Sequence, residues 1–500
     1  MTAPETTGRR YQLAAPDRTG AVLGLSRRVV VTLGVGVMVA VLAFSAGAPL
    51  VGVGAVAICL GLVMVRVDGG PLVATLPNRM RWWVSRRSGR VHWRAALPLS
   101  PVEGAGPPWP PALDGQDLLA VDHAAHGIAG VGEIGVVHDL RSGTVSATVS
   151  VSGRHFGLVD GADQDGVVDR WGAALAGFVR EQGPVVAVRW SEWAAPAGIA
   201  DHVRFVDRHM HDPTSSAALS YRELVAEAGP SATRHEVLVT VTVRVGRART
   251  PGRDALASAV ATLGGEMRQF ADRLANAGLG VAGPLTVGEL ARAARCRLDP
   301  TVLSGMDTRT ASLGRLAGLA AVNAGPLATD GDWTWWRADG SYHRCFYVSD
   351  WPALALPADW LNGLLAWAGA VRSVTVVMEP VSPRRSRAAI KTQSTKLESD
   401  RLHRERGGYR VDGEMRRAAA AVDQREAEII TGYREFTFAG IITVTAATLD
   451  GLDRAGEDLD QVAGGLGMEL RAVHGRHDQA FAVCLPLGRA LAPPRTGRWT

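Results

Sequence analysis

The chain has 500 residues, with 54 Lys+Arg, 49 Asp+Glu, four cysteines, 58 glycines and 47% apolar side chains. This composition excludes a mainly disordered chain, a disulfide-rich scaffold and a collagen-like repeat. Charge is divided unevenly, since residues 1–100 carry 12 Arg and three acids (net +9), whereas residues 101–500 carry 42 Lys+Arg and 46 acids (net −4). A nucleic-acid-binding protein concentrates positive charge on its main domain, so we expect no direct contact with nucleic acid.

An uncharged run of 37 residues extends from Val29 to Val65. A transmembrane helix needs about 20 residues, so the run is too long for one span and long enough for two short ones. The residues from Ser45 to Pro49 favour a turn in its middle. We therefore predict a transmembrane helical hairpin over 29–65, preceded by a cytoplasmic amino-terminal tail, 1–28.

A basic juxtamembrane segment, 66–97, follows the predicted hairpin. Arginines on both sides of two spans place both chain ends in the cytoplasm, which predicts a multi-pass protein of the inner (plasma) membrane with cytoplasmic soluble domains. Arginines interleaved with tryptophans are typical of a helix at the membrane interface that contacts anionic lipid headgroups. The predicted membrane-interface residues are Arg79, Arg81, Trp82, Trp83, Arg86, Arg87, Arg90, Trp93 and Arg94.

Two other interpretations of this region were weighed. The basic segment could be an ordinary solvated helix. Ser26-Arg27-Arg28 before an apolar run also resembles a twin-arginine export signal. Cleavage after Ala46-Gly47-Ala48 is disfavoured, because the apolar run continues to Val65 and the arginines beyond it would have to cross the membrane.

The remaining 400 residues are predicted to be α+β. Strand and helix patterns alternate in blocks, with hairpin turns at Arg141-Ser142-Gly143 and Asp339-Gly340. This pattern favours mixed or antiparallel sheets over a doubly wound parallel sheet, and two ferredoxin-like halves would satisfy it. The predicted units are a proline-rich linker (98–113), a first α+β domain (114–330), a second (331–485) and a flexible tail (486–500).

Two stretches of the second domain carry predictions of their own. Segment 384–428 holds 12 Lys+Arg and eight Asp+Glu in 45 positions, which predicts a charged helical excursion. It is either a partner-contacting arm or a surface helix pair. Near the end of the domain, the apolar patterns at 469–474 and 479–484 each predict a strand.

We predict no catalytic, cofactor-binding or metal site. The only Lys-Thr dipeptide, Lys391-Thr392, lacks the preceding glycines of a phosphate-binding loop. The four cysteines are widely spaced, and the histidine pairs, among them His474 and His477, have no adjoining ligand motif, so core or surface histidines are favoured over a metal site. No G-x-S-x-G nucleophile elbow occurs.

Several stretches resemble known secretion proteins. The hairpin and Arg/Trp segment resemble PrgI-type membrane subunits of Gram-positive conjugation systems, and the rest is similar to an actinobacterial conjugative-element family with a TraC-like pre-ATPase domain and no motor domain. The stretches that carry the likeness are Thr214–Val225, Trp333–Gly340, Phe438-Ala439-Gly440 and Gln479–Arg489. The resemblance implies a structural or adaptor subunit of a type IV-like machine, with other secretion-complex subunits and a separate ATPase as partners; a homo-oligomer stays open.

Two alternatives to this function remain. The first is an EccE-like membrane component of type VII secretion, which also pairs two amino-terminal spans with an α+β domain. Trp335-Trp336-Arg337-Ala338-Asp339 is similar to such proteins. The second is a membrane-bound enzyme with an unrecognised site, for which a deep pocket with converging carboxylates or histidines would speak.

Overall fold

The computed structural model describes residues 27–67, 70–96, 108–122, 132–153, 156–197, 200–228, 232–246, 254–313, 318–352, 356–406 and 413–490. Most of the predicted amino-terminal tail, residues 98–107 of the predicted linker and residues 491–500 of the predicted tail lie outside these ranges. The helices are α1 (Arg27–Ser45), α2 (Pro49–Met64), α3 (Leu72–Arg87), α4 (Gly161–Ala176), α5 (Ala200–His209), α6 (Ser216–Ala228), α7 (Ala255–Asn276), α8 (Val287–Leu298), α9 (Leu303–Leu313), α10 (Asn362–Leu365), α11 (Pro383–Arg406), α12 (Gly413–Ile430), α13 (Leu449–Gly465) and α14 (His477–Cys484). The strands are β1 (Arg66–Val67), β2 (Gly70–Pro71), β3 (His92–Arg94), β4 (Gln116–Asp122), β5 (Glu133–Asp139), β6 (Thr144–Ser152), β7 (Val185–Pro196), β8 (Thr233–Arg244), β9 (Gly280–Pro284), β10 (Ala328–Gly331), β11 (Trp336–Ala338), β12 (Ser341–Asp350), β13 (Val371–Pro380), β14 (Phe436–Ala446) and β15 (Glu469–Ala472).

The uncharged run forms two packed helices, α1 and α2, but the prediction of a transmembrane hairpin is wrong. In the described ranges no helix is both long enough and apolar enough to cross a membrane. Two of the 19 residues of α1 are Arg27 and Arg28, and α2 has 16 residues. At 1.5 Å per residue the uncharged part of each helix is about 24–26 Å long, short of a hydrocarbon core of about 30 Å.

The predicted localisation is corrected by the same finding. A multi-pass inner-membrane protein requires at least two spans, and the described helices provide none. The placement of both chain ends in the cytoplasm was derived from those two spans, so it loses its basis.

The α+β class is confirmed, and the sheet is antiparallel at every pairing of the described strands. β3 to β15 form one sheet in the order β3-β10-β11-β12-β14-β13-β7-β8-β6-β5-β4, with β15 on β12 and β9 on β6. The boundary predicted at residue 330 falls inside β10, and strands of both predicted domains share this sheet. Whether the two halves fold independently stays a prediction.

The two halves follow the same path. In the first half β6, β7, β8 and β9 lie in the order β9-β6-β8-β7, and in the second half β12, β13, β14 and β15 lie in the order β15-β12-β14-β13. Both are the fourth-first-third-second order of a βαββαβ ferredoxin-like unit. The second strands of the two units, β7 and β13, pair with each other over Val188–Ala194 and join the halves.

A helical pair is inserted at the same point of each half, between the second and third strands. The first half carries α5 and α6 there, and the second carries α11 and α12. The second pair covers the predicted charged excursion, 384–428, and is helical over its described residues. Because β7 and β13 are antiparallel, their carboxyl ends, where the inserts begin, lie at opposite ends of the sheet.

Helices cover both faces of the sheet. Phe178 after α4 and Phe270 of α7 pack on the first half, while Leu452 and Leu459 of α13 pack on the second. The opposite face is covered by α8 and α14, whose buried side chains include Leu290, Leu298, Phe481 and Val483. α8 begins with a capping box, in which Thr286 and Glu289 satisfy each other's backbone N–H groups.

The chain after α14 crosses the sheet as a buried segment, 485–489, which we call the C-terminal strap. Gln116 Nε2 donates to the carbonyl of Leu487 at 3.0 Å, and Thr148 Oγ1 donates to that of Pro486 at 3.0 Å. Arg489 pairs with Asp139 through two contacts of 3.1 Å. The prediction that the flexible tail begins at residue 486 is therefore wrong for 486–489, because these residues fill the core.

The predicted linker also contributes to the core at its described end. Trp109 and Leu113 are buried, and Trp109 Nε1 donates to the carbonyl of Gln116 at 2.7 Å. An indole that is buried needs such an acceptor, since an unpaired N–H loses its hydration without compensation. Residues 109–113 are therefore anchored to the first half rather than spanning free between two modules.

Candidate functional site

The predicted membrane-interface residues lie on α3 and β3, and β3 belongs to the main sheet. Trp93 pairs with Thr329 of β10, and Arg94 donates to Asp330 at 3.1 Å. His92 Nδ1 lies 3.0 Å from the same carboxylate. The pKa of Asp330 is lowered, because hydrogen bonds and charge from His92 and Arg94 outweigh its partial burial. Trp93 and Arg94 therefore hold the end of the Arg/Trp segment on the sheet.

Trp82 also makes intramolecular contacts. Its ring meets Trp333 edge-on with centroids 5.6 Å apart, and Trp333 stacks on His474 at 5.8 Å and 8°. The guanidinium of Arg86 lies 5.1 Å from the Trp82 ring centroid and that of Arg79 lies 5.0 Å from the Trp333 centroid. These aromatic and cation–π contacts pack α3 against the loop after β10 and the turn before α14.

Gly475 makes the close approach of these rings possible. Its φ is +67°, and a Cβ at this position would lie 2.6 Å from the Trp333 ring and 3.3 Å from Trp82. Any other residue would carry backbone strain and displace the rings. The turn before α14 is thus built around the contact with α3.

Trp83 faces away from the sheet. It is 51% exposed, next to Met80 and Val84 at 61% and 55%, and Arg87 lies 4.0 Å above its ring centroid. The predicted interface residues thus divide between two faces of α3, with Trp83 on the outer face and Trp82 on the inner. Contact of any of them with lipid headgroups stays a prediction.

The inner face of α3 forms one wall of a cleft of about 520 Å³. The other walls are the turn between β5 and β6, the loop between β10 and β11 and the start of α14. Side chains that line it include Arg81, Arg90, Trp82, Trp336, Asp332 and His477. A cavity of this size is typical of small-molecule sites.

Some charged side chains of the cleft form ion pairs within the protein, and others do not. Asp139 is neutralised by Arg489, and Arg141 pairs with Asp114 at 2.5 Å. The side chains of Arg81 and Arg90 are exposed and form no ion pair or hydrogen bond within the described part of the chain. Two cations at the mouth of the cleft are therefore available to a ligand.

His477 lies at the base of the cleft and is 2% exposed. Its Nδ1 accepts a hydrogen bond from the backbone N–H of Cys345 at 3.1 Å, so the neutral ring carries its proton on Nε2. Burial and the charges of His474 and Arg344 lower its pKa to about 3, against an opposing effect of the Trp333 carbonyl. His477 is thus a neutral hydrogen-bond donor over the whole physiological pH range.

The two buried neutral histidines predict a stability that falls as the pH falls. Burial lowers the pKa of His343 to about 4, and that of His477 is about 3, both from 6.5. The unfolded chain binds these protons near pH 6.5 and the folded chain does not, so acid favours unfolding. When the pH falls from 7 to 5, we expect each of the two histidines to lower the free energy of unfolding by about 2 kcal/mol.

Urea unfolding at pH 7, 6 and 5 measures this loss. The double variant His343→Asn/His477→Asn should be less stable at pH 7 but should lose less stability on acidification. An unchanged dependence on pH in the double variant would show that other groups are responsible.

Carboxylates and a histidine line this cleft. Within the described ranges no three His, Cys, Asp or Glu side chains are grouped to hold a metal ion. Asp478 has a pKa raised by burial, Asp139 is paired, and the His477 ring does not take up a proton near pH 7. Cys345, whose backbone N–H donates to His477 Nδ1, also donates its thiol to the His477 carbonyl at 3.4 Å, and burial raises the pKa of this thiol well above its ordinary value.

A second feature with functional character is the apolar surface of α1 and α2. Gly36 and Gly52 let the helices touch, since a Cβ would lie 2.9 Å from Cys59 Sγ at Gly36 and 3.1 Å from the Ala40 carbonyl at Gly52. The outer faces are solvent-exposed and apolar. The exposed side chains are Val31, Val35, Val37, Met38, Val41, Leu42, Phe44, Leu50, Val51, Val53, Val56, Ile58, Leu60 and Met64.

The sequence identified part of this site. It singled out the Arg/Trp segment and the apolar run, but not Trp333, Asp332 or the role of His477 at the base of the cleft. The one local signal is that His474 and His477 lie three residues apart beside a glycine, a spacing that by itself favours a core or surface pair. Comparison with known proteins adds no assignment: no family model matches the chain, and no characterised protein does.

Proposed function

We propose that the chain is a non-catalytic structural or adaptor subunit, which binds other proteins of a larger assembly and docks a separate ATPase. One observation carries the proposal: 14 large apolar side chains of α1 and α2 are exposed. Burying one such side chain contributes about 1.5–3 kcal/mol. Leaving even half of this energy unrealised would rival the net stability of a domain, about 5–15 kcal/mol. Such a surface is therefore a contact surface for a partner.

The rest of the fold supports a scaffolding role. The two ferredoxin-like halves share one continuous sheet, which makes a stiff platform. The helical pairs α5–α6 and α11–α12 stand at opposite ends of this sheet and offer different chemistry. Phe205, Leu219 and Leu224 of the first pair are more than half exposed, whereas the second pair is highly charged. We propose that the second pair is the partner-contacting arm, with its charges setting partner choice more than affinity.

The kind of assembly is proposed from the sequence resemblance. We place the subunit in a bacterial conjugation or type IV-like secretion machine. Neighbouring genes for a conjugative ATPase and a relaxase would support this placement. Genes for WXG-type substrates in their place would support the type VII alternative.

Co-purification tests the proposed contact surface. Full-length chain should be recovered with partner subunits in fixed ratio, including an ATPase, as identified by mass spectrometry and light scattering. Val41→Asp/Ile58→Asp should lose these partners, because Val41 and Ile58 are 62% and 66% exposed and a carboxylate there must be desolvated on binding.

The matched control places the same change on isolated apolar side chains elsewhere. Leu140→Asp/Leu158→Asp alters residues that are 59% and 85% exposed and should keep every partner. Recovery of the wild-type chain alone as a monomer would refute the proposal, as would an unchanged set of partners in Val41→Asp/Ile58→Asp.

A further inference from the structure

The cleft beneath α3 contains two buried side-chain N–H groups. Trp82 Nε1 and His477 Nε2 are both buried, and neither makes a well-formed hydrogen bond to a described residue. His477 lies near the carbonyl of Trp333, which also accepts the backbone N–H of Gly475 at 2.8 Å. A buried donor that is left unpaired costs about 1–3 kcal/mol, so the indole N–H of Trp82 in particular is available to a ligand.

Cationic donors surround these two N–H groups. Arg81 and Arg90 line the cleft without a partner among the described residues. Of the three aspartates in the lining, Asp139 is paired with Arg489, burial raises the pKa of Asp478, and Asp332 accepts the backbone N–H of Trp333 at 2.7 Å. The exposed guanidinium groups of Arg81 and Arg90 have no ion pair among the described residues, so they are available to an anionic group.

The donors come from three different elements. Arg81 and Trp82 lie on α3, Arg90 follows it, and His477 begins α14. A planar carboxylate is recognised best by donors in its own plane, whereas a tetrahedral phosphate offers oxygens in several directions. Trp335 and Trp336 add aromatic surface to the lining, on which a planar ring can stack.

We propose that this cleft binds a small molecule that carries both a phosphate group and a planar ring. Arg81, Arg90 and the indole N–H of Trp82 bind the phosphate, and the tryptophan rings contact the planar part. The volume of about 520 Å³ accommodates a mononucleotide-sized ligand and excludes a folded chain. Binding involves no bond-breaking step and is independent of the proposed adaptor function.

Titration of the full-length chain tests this site, with AMP, inorganic phosphate and adenosine as probes and calorimetry and tryptophan fluorescence as readouts. AMP should bind, inorganic phosphate should compete with it, and adenosine should bind at least about tenfold more weakly, since it lacks the charge-assisted hydrogen bonds. Arg81→Gln/Arg90→Gln should weaken AMP binding at least about tenfold, with an unchanged Tm because both side chains are exposed. Trp82→Phe, which keeps the ring contact and removes the N–H, should weaken it severalfold.

The matched control is Arg268→Gln/Arg309→Gln, which removes two exposed arginines far from the lining and should bind AMP as the wild type does. The proposal is overturned if AMP and phosphate fail to bind at millimolar concentration. It is also overturned if the Arg81/Arg90 variant binds as tightly as the control, or if adenosine binds as well as AMP.

Discussion

Gly488→Ala is expected to destabilise the protein by about 4 kcal/mol. Gly488 lies in the C-terminal strap with φ +69°, and an added Cβ would lie 2.0 Å from Ser146 Oγ and 2.5 Å from Ser146 Cβ. Left-handed backbone costs a non-glycine residue about 1–2 kcal/mol, and overpacking adds about 1–3 kcal/mol. Urea unfolding monitored by tryptophan fluorescence measures the loss.

Gly143→Ala separates the two contributions. Gly143 has φ +62° with nothing within 4 Å of an added Cβ, so this variant carries the backbone strain alone and should lose about 1–2 kcal/mol. Equal losses for the two variants would mean that the strap is not packed on Ser146.

Glu192→Gln is expected to cost about 3–5 kcal/mol. Glu192 of β7 and Arg372 of β13 lie two positions apart in the strand register, 3.5 Å from each other, and their side chains are 3% and 0% exposed. Glu192 Oε1 also lies 2.7 Å from His235 Nδ1. Burial lowers the pKa of Arg372, and the charge of Glu192 opposes that effect. Removing the carboxylate leaves a buried guanidinium without a counter-charge, which is the costly way to break such a pair.

Glu469→Gln is the matched control for the Glu192 variant. It removes the same charge from an ion pair with Arg471, whose two side chains are 54% and 40% exposed. Solvent screening leaves such a pair worth less than about 1 kcal/mol. If Glu192→Gln were no more costly than Glu469→Gln in urea unfolding, the junction of the two halves would not depend on this pair.

How far the sequence predicts the fold depends on whether a local pattern exists. The turns at Gly143 and at Asp339-Gly340 are local signals, and both predicted hairpins are present, as β5–β6 and β11–β12. α14 was predicted as a strand and is a helix. Ala480 to Cys484 are all buried, so no polar face marks the helical period.

α8 has no prediction in the sequence analysis, although the capping box of Thr286 and Glu289 at its start is a local signal of a helix. The transmembrane prediction failed for a different reason. An uncharged apolar run indicates that its helices are apolar. Whether they can cross a membrane depends also on the length of each helix, which is set by where the turn between them begins and ends and is not given by composition.

Only the α3 wall of the candidate site could be predicted from the sequence. The Arg/Trp segment is visible in the sequence, but Trp333, which packs on Trp82, and His477, which lines the same cleft, lie hundreds of residues away and are placed by the sheet. The same holds for Glu192 and Arg372, which are 180 residues apart. Neither residue has a neighbour in sequence that reveals its pairing.

Photocrosslinking in cells tests the central claim, that the exposed apolar helices α1 and α2 bind another protein. A photoreactive amino acid at Val41 or Ile58 should give an adduct with a second protein chain, and one at Leu140, which is exposed to a similar degree, should give none. Absence of a protein adduct at both helical positions, or equal adducts at Leu140, would contradict the account.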